Sequence, residues 1–137
     1  MDNKKQLKIS RVVNHLEKLL NKNKEHLEKV EFVVGVSRGG LILAAMVATK
    51  LNKPLVAVYI DKQDNIYFDR MEWLKDKSVL VVDDVVRTGK TLEKVVNTLK
   101  SLVNSEINTL TLYSMTEASV SPNYSFKTRK DISLPWD

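Results

Sequence analysis

Two neighbouring carboxylates, Asp83 and Asp84, stand between a run of apolar residues and a short polar loop that opens onto a helical pattern. The apolar run, residues 79–82, is typical of a buried parallel strand, whose carboxyl end lies at the ligand-binding edge of an open α/β sheet. The loop can aim N–H groups, hydroxyls and a helix N-terminus at a phosphate, while the carboxylates face a cation or hydroxyl groups. A ribose phosphate with a metal ion would meet both demands. The loop residues are Thr88, Gly89, Lys90 and Thr91.

A second junction of this kind follows the apolar residues 32–36. Arg38 can grip a phosphate through two hydrogen bonds, and Gly39 and Gly40 allow backbone amides to approach a ligand. A tight turn with a surface arginine is the alternative for these residues. An Asp pair that ends a strand and caps a turn is the alternative for residues 83–84, but it leaves the polar loop unexplained. Strand alternation predicts that the two carboxylates point toward opposite faces.

Several other classes of site do not fit the sequence. A P-loop requires a further glycine where this chain has Asp84, and no strand is followed by a Gly-x-Gly-x-x-Gly fingerprint. There is no cysteine, and no serine stands in a nucleophile elbow. His15 and His26 suit solvated or helix-packing residues better than metal ligands. Any metal is therefore expected to be Mg²⁺, held by oxygen ligands and shared with substrate phosphates.

The elements that must position these residues follow from hydrophobic periodicity. The 137 residues, 43% of them hydrophobic, predict one domain, and the alternation of strands and helices predicts an α/β fold with a doubly wound, mainly parallel sheet. An amphipathic helix is predicted within residues 7–29, with Ser10 as candidate N-cap. Residues 116–137 are expected to be polar and irregular. Strands are predicted at residues 32–36, 55–60, 66–68, 79–82 and 107–115, and helices at residues 41–51 and 91–103.

The net charge of +5 favours an anionic ligand. The lysines are dispersed and lack the dense basic block that tracks a nucleic-acid backbone, which disfavours nucleic acid as a partner. The longest apolar stretch, residues 41–48, is too short to cross a bilayer, and there is no secretory segment. These features predict a cytoplasmic protein without a membrane partner.

The motif at residues 79–92 resembles the signature of type I phosphoribosyltransferases: an apolar strand, Asp-Asp, two apolar residues, any residue, then Thr-Gly-x-Thr. Residues 37–40 look like the pyrophosphate loop of that family. Pro135-Trp136-Asp137 is similar to the ending of bacterial xanthine-guanine enzymes, and the resemblance is nearest to these and the hypoxanthine enzymes. It implies a single domain over residues 1–137, in which residues 116–137 and the N-terminal segment form a hood over the base.

The resemblance also implies substrates and roles. The substrates would be 5-phosphoribosyl 1-pyrophosphate and a nucleobase, the product a nucleoside monophosphate, the cofactor Mg²⁺, and the assembly a homodimer or homotetramer. Asp83 and Asp84 would bind the ribose hydroxyls directly or through Mg²⁺. Ser37, Arg38 and Gly39 would hold the pyrophosphate, with a cis peptide bond between Ser37 and Arg38. The expected catalytic residues are Asp83, Asp84 and Arg38, because the ribose becomes oxocarbenium-like and pyrophosphate gains charge as the C–O bond breaks.

Two further loops receive roles from the same resemblance. Residues 88–91 would hold the 5′-phosphate, helped by the N-terminus of the following helix. Residues 61–70 would correspond to a mobile loop that closes over the site and excludes water. Tyr67 and Arg70 are the candidates for its closing contacts.

The base side departs from the family at three positions. Arg87 stands where 6-oxopurine enzymes usually carry an Asp near the purine N7, which removes a proton acceptor and reverses the charge. Met115 stands where a Lys commonly reads the exocyclic oxygen, and Asp131 or Ile132 replaces the aromatic residue that stacks on the purine. We expect Arg87, Met115 and Ile132 to bind the base.

Two functions follow from these residues. The first is a phosphoribosyltransferase that transfers ribose 5-phosphate to a nucleobase, with a purine favoured, in salvage. The second is a catalytically altered nucleotide-sensing or RNA-binding regulator on the same fold.

Overall fold

The structure of the chain, a computed structural model, describes residues 5–137. Its strands are β1 (Lys5–Gln6), β2 (Phe32–Val36), β3 (Leu55–Ile60), β4 (Ile66–Phe68), β5 (Ser78–Val86), β6 (Glu106–Met115), β7 (Tyr124–Thr128) and β8 (Ile132–Ser133). Its α-helices are α1 (Ile9–Lys22), α2 (Lys24–Leu27), α3 (Gly39–Leu51) and α4 (Lys90–Val103), and a 3-10 helix spans Met71–Leu74.

Six strands form one sheet in the order β4-β3-β2-β5-β6-β7. Every neighbouring pair in it is parallel except β3 and β4, which form an antiparallel hairpin. The central strands are rich in valine because a parallel strand that is covered on both faces buries its side chains on each side. The predicted α/β fold with a mainly parallel sheet is confirmed.

Helices cover both faces of this sheet. α1 and α3 lie on one face, where Leu16 and Leu43 are buried, and α4 lies on the other, where Leu92 and Leu99 are buried. Burying each such leucine contributes about 1.5 to 3 kcal/mol relative to leaving it exposed. This doubly wound arrangement leaves the carboxyl edge of the sheet as the open side for a ligand.

β5 is longer than the strand predicted at residues 79–82. It continues through Asp83 and Asp84 to Val86, so the carboxylates lie inside the strand rather than after it. Parallel pairing with the long β6 extends it, with Asp83 opposite Thr111. The prediction was wrong because two charged residues end an apolar run in sequence without ending the hydrogen-bonded ladder.

The helix predicted within residues 7–29 is divided into α1 and α2. The N-cap of α1 is Lys8, and Ser10 lies inside the first turn, so the predicted cap was wrong. Asn23 ends α1 because its backbone N–H and its side-chain amide both donate to the Leu19 carbonyl oxygen, at 3.3 and 2.9 Å. Among the helices of residues 5–137, none is long and apolar enough to span a membrane.

Residues 116–137 are not irregular, contrary to the prediction. β7 joins the main sheet beside β6, and β8 pairs in parallel with β1. Polar side chains of this segment form hydrogen bonds with β6. The Thr109 N–H donates to Asn123 Oδ1 at 2.8 Å, and the hydroxyls of Thr111 and Ser125 lie 3.2 Å apart. The N-terminal segment and the end of the described chain are therefore neighbours, as the proposed hood requires, while its base-binding role stays a prediction.

Candidate active site

The two junctions that the sequence singles out meet at the carboxyl edge of the sheet, because β2 and β5 are neighbouring parallel strands. Gly40 packs so closely on Asp83 that a Cβ added to the glycine would stand 2.8 Å from the Asp83 Cα. A Cβ added to Gly39 would stand 2.1 Å from Asp84 Oδ2. Both glycines are required because the backbone of one junction rests on the carboxylates of the other.

Hydrogen bonds fix the orientation of both carboxylates. Asp83 Oδ1 accepts the Asp84 N–H at 2.8 Å, and Asp84 Oδ1 accepts the Val85 N–H at 2.7 Å. Asp84 Oδ2 accepts a further bond from Trp136 Nε1 at 3.1 Å. Burial, and after it the negative charge of Asp84, raises the pKa of Asp83 to about 7. Asp83 therefore retains a proton at pH values where an ordinary aspartate has lost it.

The predicted divergence of these carboxylates to opposite faces was wrong, since both contact the first turn of α3. The alternation of β5 shifts by one residue at this point. Val82 packs on the α1 and α3 face, and strict alternation would place Val85 on the α4 face, yet Val85 packs with Val82. Both carboxyl groups lie at the same junction, beside Gly39 and Gly40.

The loop at residues 37–40 has the expected cis peptide bond between Ser37 and Arg38. The Ser37 N–H donates to the Val58 carbonyl oxygen at 2.8 Å, which ties the loop to β3. α3 begins at Gly39 without a side-chain cap, so N–H groups of its first turn are offered beside the carboxylates. Arg38 is exposed and makes no ion pair within residues 5–137, which leaves its guanidinium available to an anion.

The loop at residues 88–91 has the geometry of an anion cradle. Gly89 adopts a φ of +98° at the start of α4, a conformation that glycine adopts without steric cost. The Ser119 N–H and hydroxyl both donate to the Thr88 carbonyl oxygen, at 3.1 and 2.9 Å, and so hold the loop in place. The N-cap Gly89 has no side chain to cap α4, and the Lys90 N–H donates to Thr88 Oγ1 at 3.4 Å. Other N–H groups of the first turn can bind a phosphate. The exposed side chains at this helix start are Thr88, Lys90 and Thr91.

On the side that is predicted to bind the base, Arg87 forms an ion pair with Asp131, with 2.9 Å between Nε and Oδ1. Arg87 Nη2 also donates to the Ile132 carbonyl oxygen at 3.4 Å. The side chains of Ile132 and Met115 are buried, 4% and 9% exposed. The Ile132 N–H donates to Asp131 Oδ1 at 2.9 Å, and base binding by Ile132 and Met115 stays a prediction. Sequence reasoning did not predict the Arg87–Asp131 pair, although the unusual arginine and aspartate at these two positions were the signal for it.

Residues 61–70 are the expected closing loop. They comprise the turn of the β3–β4 hairpin, strand β4 and the two residues before the 3-10 helix. Asp61 Oδ2 accepts the Tyr67 hydroxyl at 3.2 Å, and the Arg70 guanidinium lies 5.7 Å from the ring centroid of Trp73. Both candidates for closing contacts are thus held by neighbours in the hairpin region.

Trp136 is the residue at the candidate site that sequence reasoning missed. From the sequence it has a place only in the Pro135-Trp136-Asp137 ending, with no role in the site, yet its indole N–H reaches Asp84, 52 positions away in the chain. The signal was an indole beside a proline in an otherwise polar segment, but no local pattern shows where such a ring will lie.

Comparisons with known proteins agree with this geometry. The phosphoribosyl transferase domain family matches residues 4–137. The fold is similar to that of a purine phosphoribosyltransferase from Pyrococcus horikoshii, with a TM-score of 0.85, 36% identity, and coverage of 99% of this chain and 95% of that chain.

Two curated relatives are similar over part of the sequence. An orotate phosphoribosyltransferase from Aeropyrum pernix is 37% identical over 87 residues, which are 63% of this chain and 47% of the relative. A transcriptional regulator, GfcR, from Methanococcus maripaludis is 33% identical over 88 residues, which are 57% of this chain and 43% of the relative. The chain spans about half the length of the curated relatives it matches. Since the family match covers almost every residue and includes both junctions, this chain belongs to the phosphoribosyltransferase family.

Proposed function

We propose that this chain transfers ribose 5-phosphate from 5-phosphoribosyl 1-pyrophosphate, the donor, to a nucleobase. The observation that carries the proposal is the convergence of residues 37–40, the carboxylates at residues 83–84 and residues 88–91 at one edge of the sheet. Each suits one part of the donor. An arginine and a helix N-terminus suit pyrophosphate, carboxylates suit ribose hydroxyls, and a second helix N-terminus suits the 5′-phosphate.

The reaction breaks the bond between the anomeric carbon and pyrophosphate and joins that carbon to a base nitrogen, which loses its proton. Positive charge develops on the ribose ring, and negative charge develops on the leaving pyrophosphate. In this proposal Asp84 holds ribose hydroxyls and offsets the positive charge, while Arg38 and the N-terminus of α3 offset the negative charge. These contacts strengthen as the charges develop, so they favour the transition state over the bound substrates.

Mg²⁺ is the proposed cofactor, and the oxygen atoms available as metal ligands fit it. Within residues 5–137 no group of three or more His, Cys, Asp or Glu could hold a metal ion by itself. Asp83 and Asp84 offer the carboxylate oxygens that Mg²⁺ prefers, and a carboxylate that accepts bonds from Val85 and Trp136 keeps further acceptor capacity. When bound with the donor, the ion would neutralise part of the pyrophosphate charge.

A purine is the base that we propose. Support comes from the match over nearly the whole chain to a protein described as a purine phosphoribosyltransferase, whereas the match to the orotate enzyme covers 63% of the chain. The base-side pair adds a physical argument. Because Asp131 lies 2.9 Å from Arg87 and neutralises it, the carboxylate of an anionic base such as orotate would gain little from this arginine.

Pyrophosphate release tests the proposal. The protein is mixed with the donor, Mg²⁺ and one base at a time from hypoxanthine, guanine, xanthine, adenine, orotate and uracil. We expect release only with purines, together with formation of the nucleoside monophosphate. Release with orotate alone would replace the purine assignment, and no release with any base would contradict the enzyme.

A nucleotide-sensing or RNA-binding regulator is the second candidate. The Arg87–Asp131 pair favours it, because the arginine offers no proton acceptor to a base, and one similar protein is a transcriptional regulator. Such a protein would bind a nucleoside monophosphate at residues 88–91 without turnover. Calorimetric binding of the monophosphate, combined with no pyrophosphate release, would support it. The expected homodimer or homotetramer stays a prediction, which sedimentation would measure.

A further inference from the structure

Trp136 makes a tertiary contact with the carboxylate at the centre of the site. Its Nε1–H donates to Asp84 Oδ2 at 3.1 Å, while Asp84 Oδ1 accepts the Val85 N–H at 2.7 Å. An indole N–H can only donate, so it matches a carboxylate oxygen. With one bond to each oxygen, the carboxyl group is fixed in rotation as well as in position.

The first turn of α3 closes around the same contact. A Cβ added to Gly39 would stand 2.8 Å from Trp136 Nε1 and 2.1 Å from Asp84 Oδ2. The indole, the carboxylate and the backbone of the pyrophosphate loop are therefore packed together, and any movement of the indole alters the space around Asp84.

The segment that carries Trp136 is itself firmly folded. Leu134 is fully buried, its N–H donates to Asp137 Oδ2 at 2.8 Å, and its carbonyl oxygen accepts the Asp137 N–H at 3.0 Å. These bonds close a tight turn with Trp136 inside it. Five positions earlier, Asp131 pairs with Arg87 on the base side. Residues 131–137 thus contact the base side at one end and the carboxylate of the ribose site at the other.

We propose that Trp136 is a positioning residue of the donor site, which holds the Asp84 carboxylate in the orientation that the ribose hydroxyls require. The proposal rests on the proposed function for the identity of the donor. Trp136 acts through Asp84 and does not itself contact the reacting atoms.

The test is a double-mutant cycle on donor binding, measured by calorimetry with 5-phosphoribosyl 1-pyrophosphate and Mg²⁺. Trp136→Phe keeps an aromatic ring but removes the N–H, and we expect it to weaken binding about tenfold, as for loss of one hydrogen bond to a charged group. Asp84→Ala alone should weaken binding more. The double variant should bind as weakly as Asp84→Ala alone, because the indole has nothing left to orient. Trp73→Phe, at the only other tryptophan, is the matched control and should bind like the wild type.

Fluorescence gives a second measurement. In the Trp73→Phe protein the remaining indole is Trp136, and its emission should change saturably as the donor and Mg²⁺ are added. Wild-type affinity in Trp136→Phe would overturn the proposal. So would a tenfold loss of affinity in Trp136→Phe that adds fully to the loss caused by Asp84→Ala in the double variant. If the wild type binds the donor, these failures concern Trp136 alone. If the wild type does not bind it, the proposed function fails as well.

Discussion

The proposed sugar-phosphate side and the proposed base side of the site are built in different ways. The proposed sugar-phosphate side consists of residues 37–40, 83–84 and 88–91, and its glycine turns and helix starts are local structures. On the base side, Arg87 meets Asp131 at a distance of 44 positions in sequence. We therefore expect donor recognition to depend mainly on local backbone geometry, to which the Trp136–Asp84 hydrogen bond adds one long-range contact. Base recognition should depend on the long-range Arg87–Asp131 pair. A change on one side should therefore alter the binding of one substrate and spare the other.

The largest expected effect follows from neutralising both carboxylates. Asp83→Asn combined with Asp84→Asn keeps their shape but removes the charge of Asp84 and the charge that Asp83 carries above about pH 7. Mg²⁺-dependent donor binding at pH 8 should therefore weaken by at least about 100-fold. Calorimetric titration measures the affinity, and circular dichroism should show an intact fold. Glu106→Gln, an exposed carboxylate at the opposite end of β6, is the control. Unchanged affinity in the double variant would remove these residues from the donor site.

Loss of the guanidinium at Arg38 should have the next largest effect. Arg38→Ala removes a charge-assisted contact to the leaving pyrophosphate, which should slow turnover by about 1.5 to 3 kcal/mol in activation free energy. The rate of pyrophosphate release with saturating base measures it, with the exposed Lys29→Ala as a charge-matched control. A rate equal to that of the wild type would leave residues 37–40 with a structural role only.

Titration of Asp83, on the proposed donor side, should make the free energy of unfolding depend on pH. Its pKa is about 7 in the folded chain, above the ordinary value of 3.8, so the folded state binds the proton more tightly than the unfolded state does. This contribution to stability is complete below about pH 4 and is lost as the pH rises through about 7. Asp83→Asn imitates the protonated form and should raise the free energy of unfolding at pH 8 and hardly at all at pH 4.

Urea unfolding of both proteins at the two pH values checks this expectation. An equal difference between variant and wild type at pH 4 and pH 8 would show that Asp83 does not hold the proton. Such a result would contradict the raised pKa of Asp83.

The smallest expected effect on stability concerns the base side. The Arg87 and Asp131 side chains are 44% and 29% exposed, so Asp131→Asn should cost less than about 1 kcal/mol of stability. It leaves the charge of Arg87 uncompensated, which should raise the use of orotate relative to purines, measured as the ratio of their kcat/KM values. Donor affinity should stay that of the wild type. A loss of donor binding would contradict the separation of the two sides.

The sequence predicted those parts of the fold that depend on neighbouring residues. The strands at residues 32–36, 55–60 and 66–68 agree with β2, β3 and β4, because runs of apolar and β-branched residues favour strands locally. The prediction failed where pairing overrode composition. β7 is polar because its hydroxyls bond to partners on β6, and β5 runs through Asp83 and Asp84 because β6 continues beside it.

For the candidate site, the motif and its glycines were enough to indicate where a phosphate and a ribose could bind. The positive φ at Gly89 and the start of α4 depend on a few neighbouring residues, so they can be predicted from the local sequence. The contacts from Trp136 to Asp84 and from Asp131 to Arg87 exist only in the folded chain, because β8 and its following turn must first pack against the end of β5. Hydrogen bonds across such separations depend on where distant backbones lie, which no spacing in the sequence specifies.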